Sequence, residues 1–472
     1  MRTIAGLVGF HALVLSVGLA FLLAVRLARP RPGDLVRSLG LAHLAGVAAT
    51  CLASVWLLVL GGTLTAPVFA AIALVLLAAL LAVAVLRPGG LRSGEPGPAS
   101  GRAPSQGWPV VVLGAAIALF LVVQIWNARE LPTAWDAAHN WTLKAVVLAD
   151  DGDLSSGAFR DPTLFGGAHQ DYPILQPVLG SGALRFTSRS DQSLLVAELW
   201  LLVAAFVAAV AYLLRGRLGW TVLLFAPLAI AIASGPVQGV MRGDADVAMA
   251  VFLATGVLCL GLWVERARPG LLPAAALLLG AAANVKNEGT VFAIAVMVVA
   301  LCASIGRPGR DIRAVGLAAV SVVAAAVPWR LWVAAHGPFP SDVRSLGDSL
   351  SPSLLWDSLH QLDFAAREIL GRLADGTGSG WLFPAFLLVT VVLLTVRSDR
   401  RVHALYLAAG LVMIAALLWI YWTSPQPDVE AHIERTTLRT VTAPMFVAAV
   451  ALAHILSRLR PEVRAAREAG EG

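Results

Sequence analysis

The chain reads as an all-α polytopic membrane protein, and three observations predict that class. Of 472 residues, 58% are hydrophobic and only 14% charged, with a mean hydropathy of +0.78; a soluble protein carries about 25% charged residues. Apolar runs near the roughly 20 residues that a helix needs to cross a bilayer recur along the whole length. Arginines collect in every second loop between those runs, the asymmetry expected of cytoplasmic loops. Continuous runs argue against a β-barrel, whose strands alternate. The formal charge of +6 sits mostly on arginines in short loops, which reads as topology rather than nucleic-acid binding.

In chain order, the pattern predicts about thirteen spans: 4–25, 38–60, 64–86, 109–127, 193–213, 220–240, 246–264, 271–285, 289–304, 315–334, 381–396, 403–422 and 441–457. The first is followed by Arg26, Arg29 and Arg31 without a small-residue cleavage site, so it reads as a retained helix rather than a signal peptide. The eighth and ninth are short and interrupted by polar residues. Arginine-rich loops follow the first, third, fifth, seventh, ninth, eleventh and last spans. With an odd count, all of these lie on one side, which places the C-terminus in the cytoplasm and the N-terminus outside. The organisation expected is three N-terminal helices (1–86), a Gly/Pro/Ser-rich cytoplasmic linker (87–108), a helical module over 109–457 and a short tail at 458–472. Cys51, Cys259 and Cys302 fall in apolar segments and read as small buried hydrophobes.

The loops on the opposite side hold most of the remaining acids, histidines and both lysines. Loop 128–192 opens on Trp135-Asp136-Ala137-Ala138-His139-Asn140-Trp141-Thr142-Leu143-Lys144. Asp136, Asn140 and Lys144 would share one helical stripe with His139 beside it, and Trp135, Ala138, Trp141 and Leu148 another. That suggests short external amphipathic helices lying on the membrane surface. The run Asp150-Asp151-Gly152-Asp153 lacks calcium-loop spacing and reads as a solvated turn. Tyr172-Pro173 opens the next helix.

Further along, Arg242-Gly243-Asp244-Ala245-Asp246 puts two carboxylates at the mouth of a very apolar helix. One of them is explained by capping and two suggest a ligand. Asn284-Val285-Lys286-Asn287-Glu288-Gly289 breaks two apolar runs; it suits a solvated hairpin with Gly289 supplying turn freedom, or a phosphate-holding tip. Arg330 and the group His432, Glu434, Arg435 and Arg439 place cations on the external side, against the topological bias. Cations around carboxylates suit departure of a phosphate from a sugar, with a carboxylate as base for an acceptor hydroxyl.

These motifs, in this order, resemble the GT-C superfamily of polyprenyl-phosphate-sugar-dependent glycosyltransferases, nearest the family 39 branch related to protein O-mannosyltransferases and aminoarabinose transferases. The likeness rests on Trp135-Asp136-Ala137 through Lys144, on Tyr172-Pro173-Ile174-Leu175, on Gly243-Asp244-Ala245-Asp246 and on Lys286-Asn287-Glu288-Gly289. His432 with Arg439 is similar to a weaker family pattern. The resemblance implies a GT-C-like helix bundle over 109–457, with Asp136 as catalytic base. It makes Asp246, Glu288 and Asp244 supporting acids, and Lys286, Arg330, Arg439 and Arg435 phosphate contacts. Asn140, Lys144, His139, Tyr172 and His432 are further site candidates. No cofactor is implied with certainty, and a divalent metal at Asp246 and Glu288 is compatible with the set. The implied partners are a polyprenyl-phosphate sugar, a glycan, lipid or protein acceptor and the bilayer, with no nucleic acid. The Arg-rich, Lys-poor composition suggests a bacterial plasma membrane, with the active site facing outward. The chain departs from the family in its three extra N-terminal helices and in lacking a large C-terminal external domain. A secondary transporter, or a non-catalytic lipid-binding subunit of envelope synthesis, is the alternative.

Overall fold

The structure, a computed structural model, describes residues 2–87, 122–123, 137–163, 165, 168–187, 193–215, 217, 242–305, 312–337, 339, 346–375, 381–396, 400–426 and 428–458. The expected spans 220–240 and most of 109–127, the linker from 88 onward, Trp135, Asp136 and the tail from 459 lie outside the described residues.

Everything regular among the described residues is helical. In order these are α1 (Arg2–Ala24), α2 (Pro32–Arg37), α3 (Leu39–Val59), α4 (Ala66–Leu86), a π-helical turn (Ala137–Thr142) running into α5 (Leu143–Asp150), α6 (Gly157–Arg160), α7 (Leu175–Thr187) and α8 (Ser193–Leu213). They continue with α9 (Ala245–Arg266), α10 (Leu271–Ala283), α11 (Asn287–Ser304), α12 (Ile312–His336), α13 (Leu346–Ser349), α14 (Pro352–Asp357) and α15 (Leu359–Ala374). The last four are α16 (Leu382–Val396), α17 (Arg401–Trp422), α18 (Val429–Thr440) and α19 (Thr442–Ser457).

Nine stretches among the described residues are long and apolar enough to cross a membrane: α1, α3, α4, α8, α9, α11, α12, α17 and the α18–α19 pair taken together. This is a multi-pass membrane protein. Helices α10 and α16 are apolar but have only 13 and 15 residues. At 1.5 Å per residue they fall short of the ~30 Å hydrocarbon thickness.

Helix α9 is the axis of the fold. Every residue from Ala245 to Val264 is buried, because α8, α10, α11, α17 and α19 all pack around it. A helix apolar on every side belongs in such a position. Helix α1 lies against α3, α4 and α7, and α3 continues onto α8, α10 and α12. The three N-terminal helices therefore share the core of the rest. The α1–α3 crossing uses small residues: a Cβ on Gly18 would run into the Ala42 carbonyl, and one on Gly46 into the Val14 carbonyl. Bundles in lipid approach closely in this way, since apolar helices gain little from excluding lipid.

One amphipathic helix, α15, lies outside the long ones. On α15, Ala365, Ile369 and Leu373 are buried, while Asp363–Arg367 and Glu368–Arg372 pair on the other face. Helix α15 packs on α16, α17 and α18. The opening segment of loop 128–192 behaves differently from its expected surface helix. The π-helical turn shifts the register, so Asn140, Trp141, Lys144 and Leu148 are all buried and His139 is exposed. The described residues Asn140 and Lys144 of one stripe and Trp141 and Leu148 of the other thus face protein, and the segment is wedged in the bundle. The acidic run does form a turn: Gly152 has φ +85°, and Asp153 accepts from the Ser155 amide at 2.8 Å. Those Ser155 bonds hold the Asp153 carboxyl below its usual range. Cys51 and Cys259 are buried, but Cys302 is exposed on the outer side of α11, a correction to the reading of three buried thiols.

Candidate functional site

The site forms where the starts of α9 and α11 meet the last turns of α12. Helix α9 enters through Gly243 (φ +81°), whose carbonyl accepts from Gln176 Nε2 at 3.3 Å. Asp244 occupies the N-cap position of α9 without capping it. Its carboxylate instead lies 3.5 Å from Arg439 Nη1 and 3.9 Å from Arg242 Nε. Asp246, in the first turn, reaches across to the α10–α11 hairpin, where Lys286 Nζ donates to its Oδ1 at 2.9 Å. The same ammonium stands 3.2 Å from Glu288 Oε1.

That hairpin is not solvated. Lys286 and Glu288 are 4% and 8% exposed, so taking them from water carries a cost that their mutual attraction must offset. Gly289 sits inside α11 rather than at a turn. It is needed for closeness instead, because a Cβ there would strike the Ala282 carbonyl. Asn284 closes α10 by donating to the Gly280 and Ala325 carbonyls, both at 2.9 Å. Its own carbonyl accepts from the Leu175 amide at 2.9 Å, which ties α7 to the hairpin.

Next to the lysine, Asn287 Nδ2 donates to Asp171 Oδ2 at 2.8 Å, and Trp329 Nε1 to the Asp171 carbonyl at 3.0 Å. The half-buried Arg330 donates to a neutral hydroxyl, Thr290 Oγ1, at 2.9 Å, within electrostatic reach of Asp171 and Glu288. Pro328 sits two residues before it, inside α12, where a missing amide loosens the helix.

Aromatic rings floor this polar cluster. Trp141 stacks on Tyr172 with centroids 5.5 Å apart, and His169 stacks on the same ring at 5.1 Å. Lys286 Nζ stands 6.0 Å from the Tyr172 ring. Lys144 Nζ lies 5.8 Å from the Trp141 ring and donates to the His169 carbonyl at 2.7 Å. The sequence has only two lysines, Lys144 and Lys286. Both are buried, and both flank this one ring stack.

Of the residues predicted from sequence, Lys144, Tyr172, Asp244, Asp246, Lys286, Glu288, Arg330 and Arg439 come together here. Asn140 is close by in sequence to Lys144 and fully buried, with no hydrogen-bond partner for its amide among the described residues. His432 packs its ring edge-on to Tyr421 at 6.0 Å. Arg435 is exposed and donates to the Ala431 carbonyl on its own helix. His139 is exposed, and Asp136 lies outside the described residues, one position before the π-helical turn. Among the described residues no group of three or more His, Cys, Asp or Glu side chains suits a metal ion. Lys286 itself occupies the space between Asp246 and Glu288, so this donor set does not fit a divalent cation.

Asp171 and Trp329 were not singled out in the sequence, and Trp141 and Asn287 fell inside quoted motifs without being given a site role. The signal for Asp171 was present, as an acid beside Tyr172-Pro173. No family model, curated protein or solved structure matches the chain.

Proposed function

We propose that the protein is a GT-C-type glycosyltransferase that moves a sugar from a polyprenyl-phosphate carrier to a glycan, lipid or protein acceptor. The outer face of a bacterial plasma membrane would be the place of transfer. The observation that carries this reading is the construction of the α9–α11–α12 cluster. Arg330 is bonded to a neutral hydroxyl rather than paired with a carboxylate. In the same cluster, Glu288 Oε2 and Asn287 Oδ1 are buried without hydrogen-bond partners among the described residues. Buried polar groups are nearly always satisfied, so a concentration of unsatisfied ones beside a cation suits a polar ligand.

The division of labour follows from charge. Arg330 offers a planar fork to a departing phosphate. Lys286, held between Asp246 and Glu288, is a compact charge fixed in place before substrate arrives, which costs little reorganisation. Arg439, held on Asp244, closes the same rim from α18. Asp136, adjoining the turn that carries Asn140 and Lys144, takes the proton of the acceptor hydroxyl. The acceptor oxygen then bonds to the anomeric carbon as the carbon–oxygen bond to phosphate breaks. The electron pair leaves with the polyprenyl phosphate, and one displacement inverts the sugar.

One observation favours a second reading, a proton-coupled transporter. His11 of α1 and Glu198 of α8 pair at 3.1 Å within two spans, and intramembrane ionisable pairs mark proton pathways. The discriminating experiment is sugar transfer from a panel of radiolabelled polyprenyl-phosphate sugars by purified protein, wild type against Asp136→Asn. Transfer by wild type and loss in a folded, donor-binding variant supports the transferase. Absence of donor binding, together with proton-driven uptake that Glu198→Gln abolishes, supports the transporter.

A further inference from the structure

We infer that His11, Glu198 and His43 share one exchangeable proton inside the membrane, loaded through a water-sized cavity beside the mouth of α9. The inference holds whichever reaction the α9–α11–α12 cluster performs, because its readout is protonation and neither transfer nor uptake.

The three groups come from three of the spanning helices, α1, α8 and α3. His11 Nε2 stands 3.1 Å from Glu198 Oε1, and the His43 ring is centred 5.3 Å from that of His11. They differ in depth. Arg215, just past α8, pairs with Asp34 of α2, so the Leu213 end of α8 meets the Leu39 end of α3. His43 lies four residues from that end, and Glu198 five residues from the opposite, Ser193 end. The groups therefore step inward from one side of the bundle.

This cluster is not closed as a bracing ion pair would be. Glu198 Oε2, His11 Nδ1 and His43 Nε2 are buried without hydrogen-bond partners among the described residues, although such groups are nearly always satisfied. The titratable groups that meet here are His11 from α1, His43 and Cys51 from α3 and Glu198 from α8. Of the helices packed on them, α4 and α10 carry no charged residue, and the charges of α9 sit at its two ends. Arg185 of α7 is turned to the Leu148 carbonyl at 3.0 Å, and Arg330 of α12 to Thr290. In an apolar interior the net-neutral arrangement costs least. Neutrality is met by a single proton, held by Glu198 as a carboxylic acid or by His11 as the imidazolium partner of the carboxylate. Passing between them breaks the Glu198 O–H bond and forms the His11 Nε2–H bond, with no other reactant. Such a proton belongs to the group rather than to one residue.

The cavity connects that proton to water. Glu198 lines it together with Trp141, Thr142, Gln176, Gly180 and Gly243, and its volume of about 20 Å³ takes one water molecule. Gln176 Oε1 and Trp141 Nε1, in the same wall, also have no hydrogen-bond partner among the described residues. With Glu198 Oε2 they make two acceptors and one donor, the set that a single water satisfies. Gln176 Nε2 donates to the Gly243 carbonyl, so the wall leads to the entrance of α9.

The test is infrared difference spectroscopy of the full chain in lipid vesicles, cycled between about pH 5 and pH 8. Wild type should show a protonated-carboxyl band that Glu198→Gln removes and that moves when the vesicles are transferred to heavy water. Glu198→Asp should return the band at the frequency of an aspartic acid. Gln176→Leu should keep the band and slow its exchange at least about threefold, the effect of losing one hydrogen bond. Superimposable spectra of wild type and Glu198→Gln would overturn the inference. If Glu198→Gln does not fold, a band left unshifted in Glu198→Asp would do the same. Exchange as fast in Gln176→Leu as in wild type would overturn the route through the cavity.

Discussion

Helix α9 carries buried charge at both ends, and the two ends are built differently. At its C-terminal end Glu265 gathers Arg217, His454 and Arg458 within 2.7, 3.1 and 3.8 Å, and His454 passes its other nitrogen to the Tyr406 hydroxyl at 2.7 Å. One carboxylate there meets partners just beyond α8 and at the end of α19, and His454 links the group to Tyr406 on α17. At the N-terminal end, carboxylates and cations are matched in number. Asp246 and Glu288 share Lys286, while Glu288 Oε2 and Asn287 Oδ1 have no hydrogen-bond partner among the described residues. A network that closes on itself clamps helices together; one that leaves polar atoms open is suited to a ligand.

Breaking the hub should show the largest effect on folding. Glu265→Ala leaves three cationic or polar partners facing one another, and removing one member of a buried ion network costs about 3–5 kcal/mol. Thermal unfolding followed by size-exclusion should register that loss, while any transfer activity per folded molecule stays near wild type. Lys286→Met should cost a similar amount, about 3–5 kcal/mol, because Asp246 and Glu288 would then repel. Neutralising all three together, with Asp246→Asn and Glu288→Gln added, should restore most of that stability without restoring function. A triple variant no more stable than Lys286→Met would show that the ions themselves hold this end together.

Asn287→Ala sharpens the contrast at a smaller scale. It removes a hydrogen bond to the Asp171 carboxylate, worth about 1.5–3 kcal/mol, and should weaken donor binding as well as lower the unfolding midpoint. A pure stability loss would make the Asp171–Asn287 pair a brace of α7 against α11. The smallest effect is expected at Arg367→Ala on α15, an exposed pair with Asp363; a change within about 0.5 kcal/mol is anticipated by the same unfolding measurement.

The contrast also explains what could be read in advance. Of the thirteen spans that hydrophobic run length predicted, nine are long enough to cross a membrane among the described residues and two are too short. The arginines marked one end, and several meet there: Arg87 donates to the Ala24 carbonyl at 2.6 Å and Arg268 to that of Arg26 at 3.0 Å. Charged residues at the borders of apolar runs, such as Asp246, Lys286 and Arg330, stood out because an apolar chain has few of them. Trp329 did not, and Asn287 stood in a quoted motif without a role, because both hold Asp171, and a positioning contact from the chain before α7 to α11 and α12 leaves no periodic trace. The wedge at Asn140–Lys144 escaped for a related reason. Helical periodicity presumes 3.6 residues per turn, and a π-helical turn breaks that register. His11 and Glu198 were hidden inside apolar runs, where one polar residue barely alters the average.

The most direct test of the division between the two ends is a paired measurement on one preparation. The triple variant Asp246→Asn/Lys286→Met/Glu288→Gln and the hub variant Glu265→Gln would be compared for unfolding midpoint and for transfer from radiolabelled polyprenyl-phosphate sugars. The triple variant should keep a near-native midpoint and lose transfer, while Glu265→Gln should lower the midpoint and keep transfer per folded molecule. Wild-type transfer by a folded triple variant would contradict the assignment of chemistry to the Lys286 end.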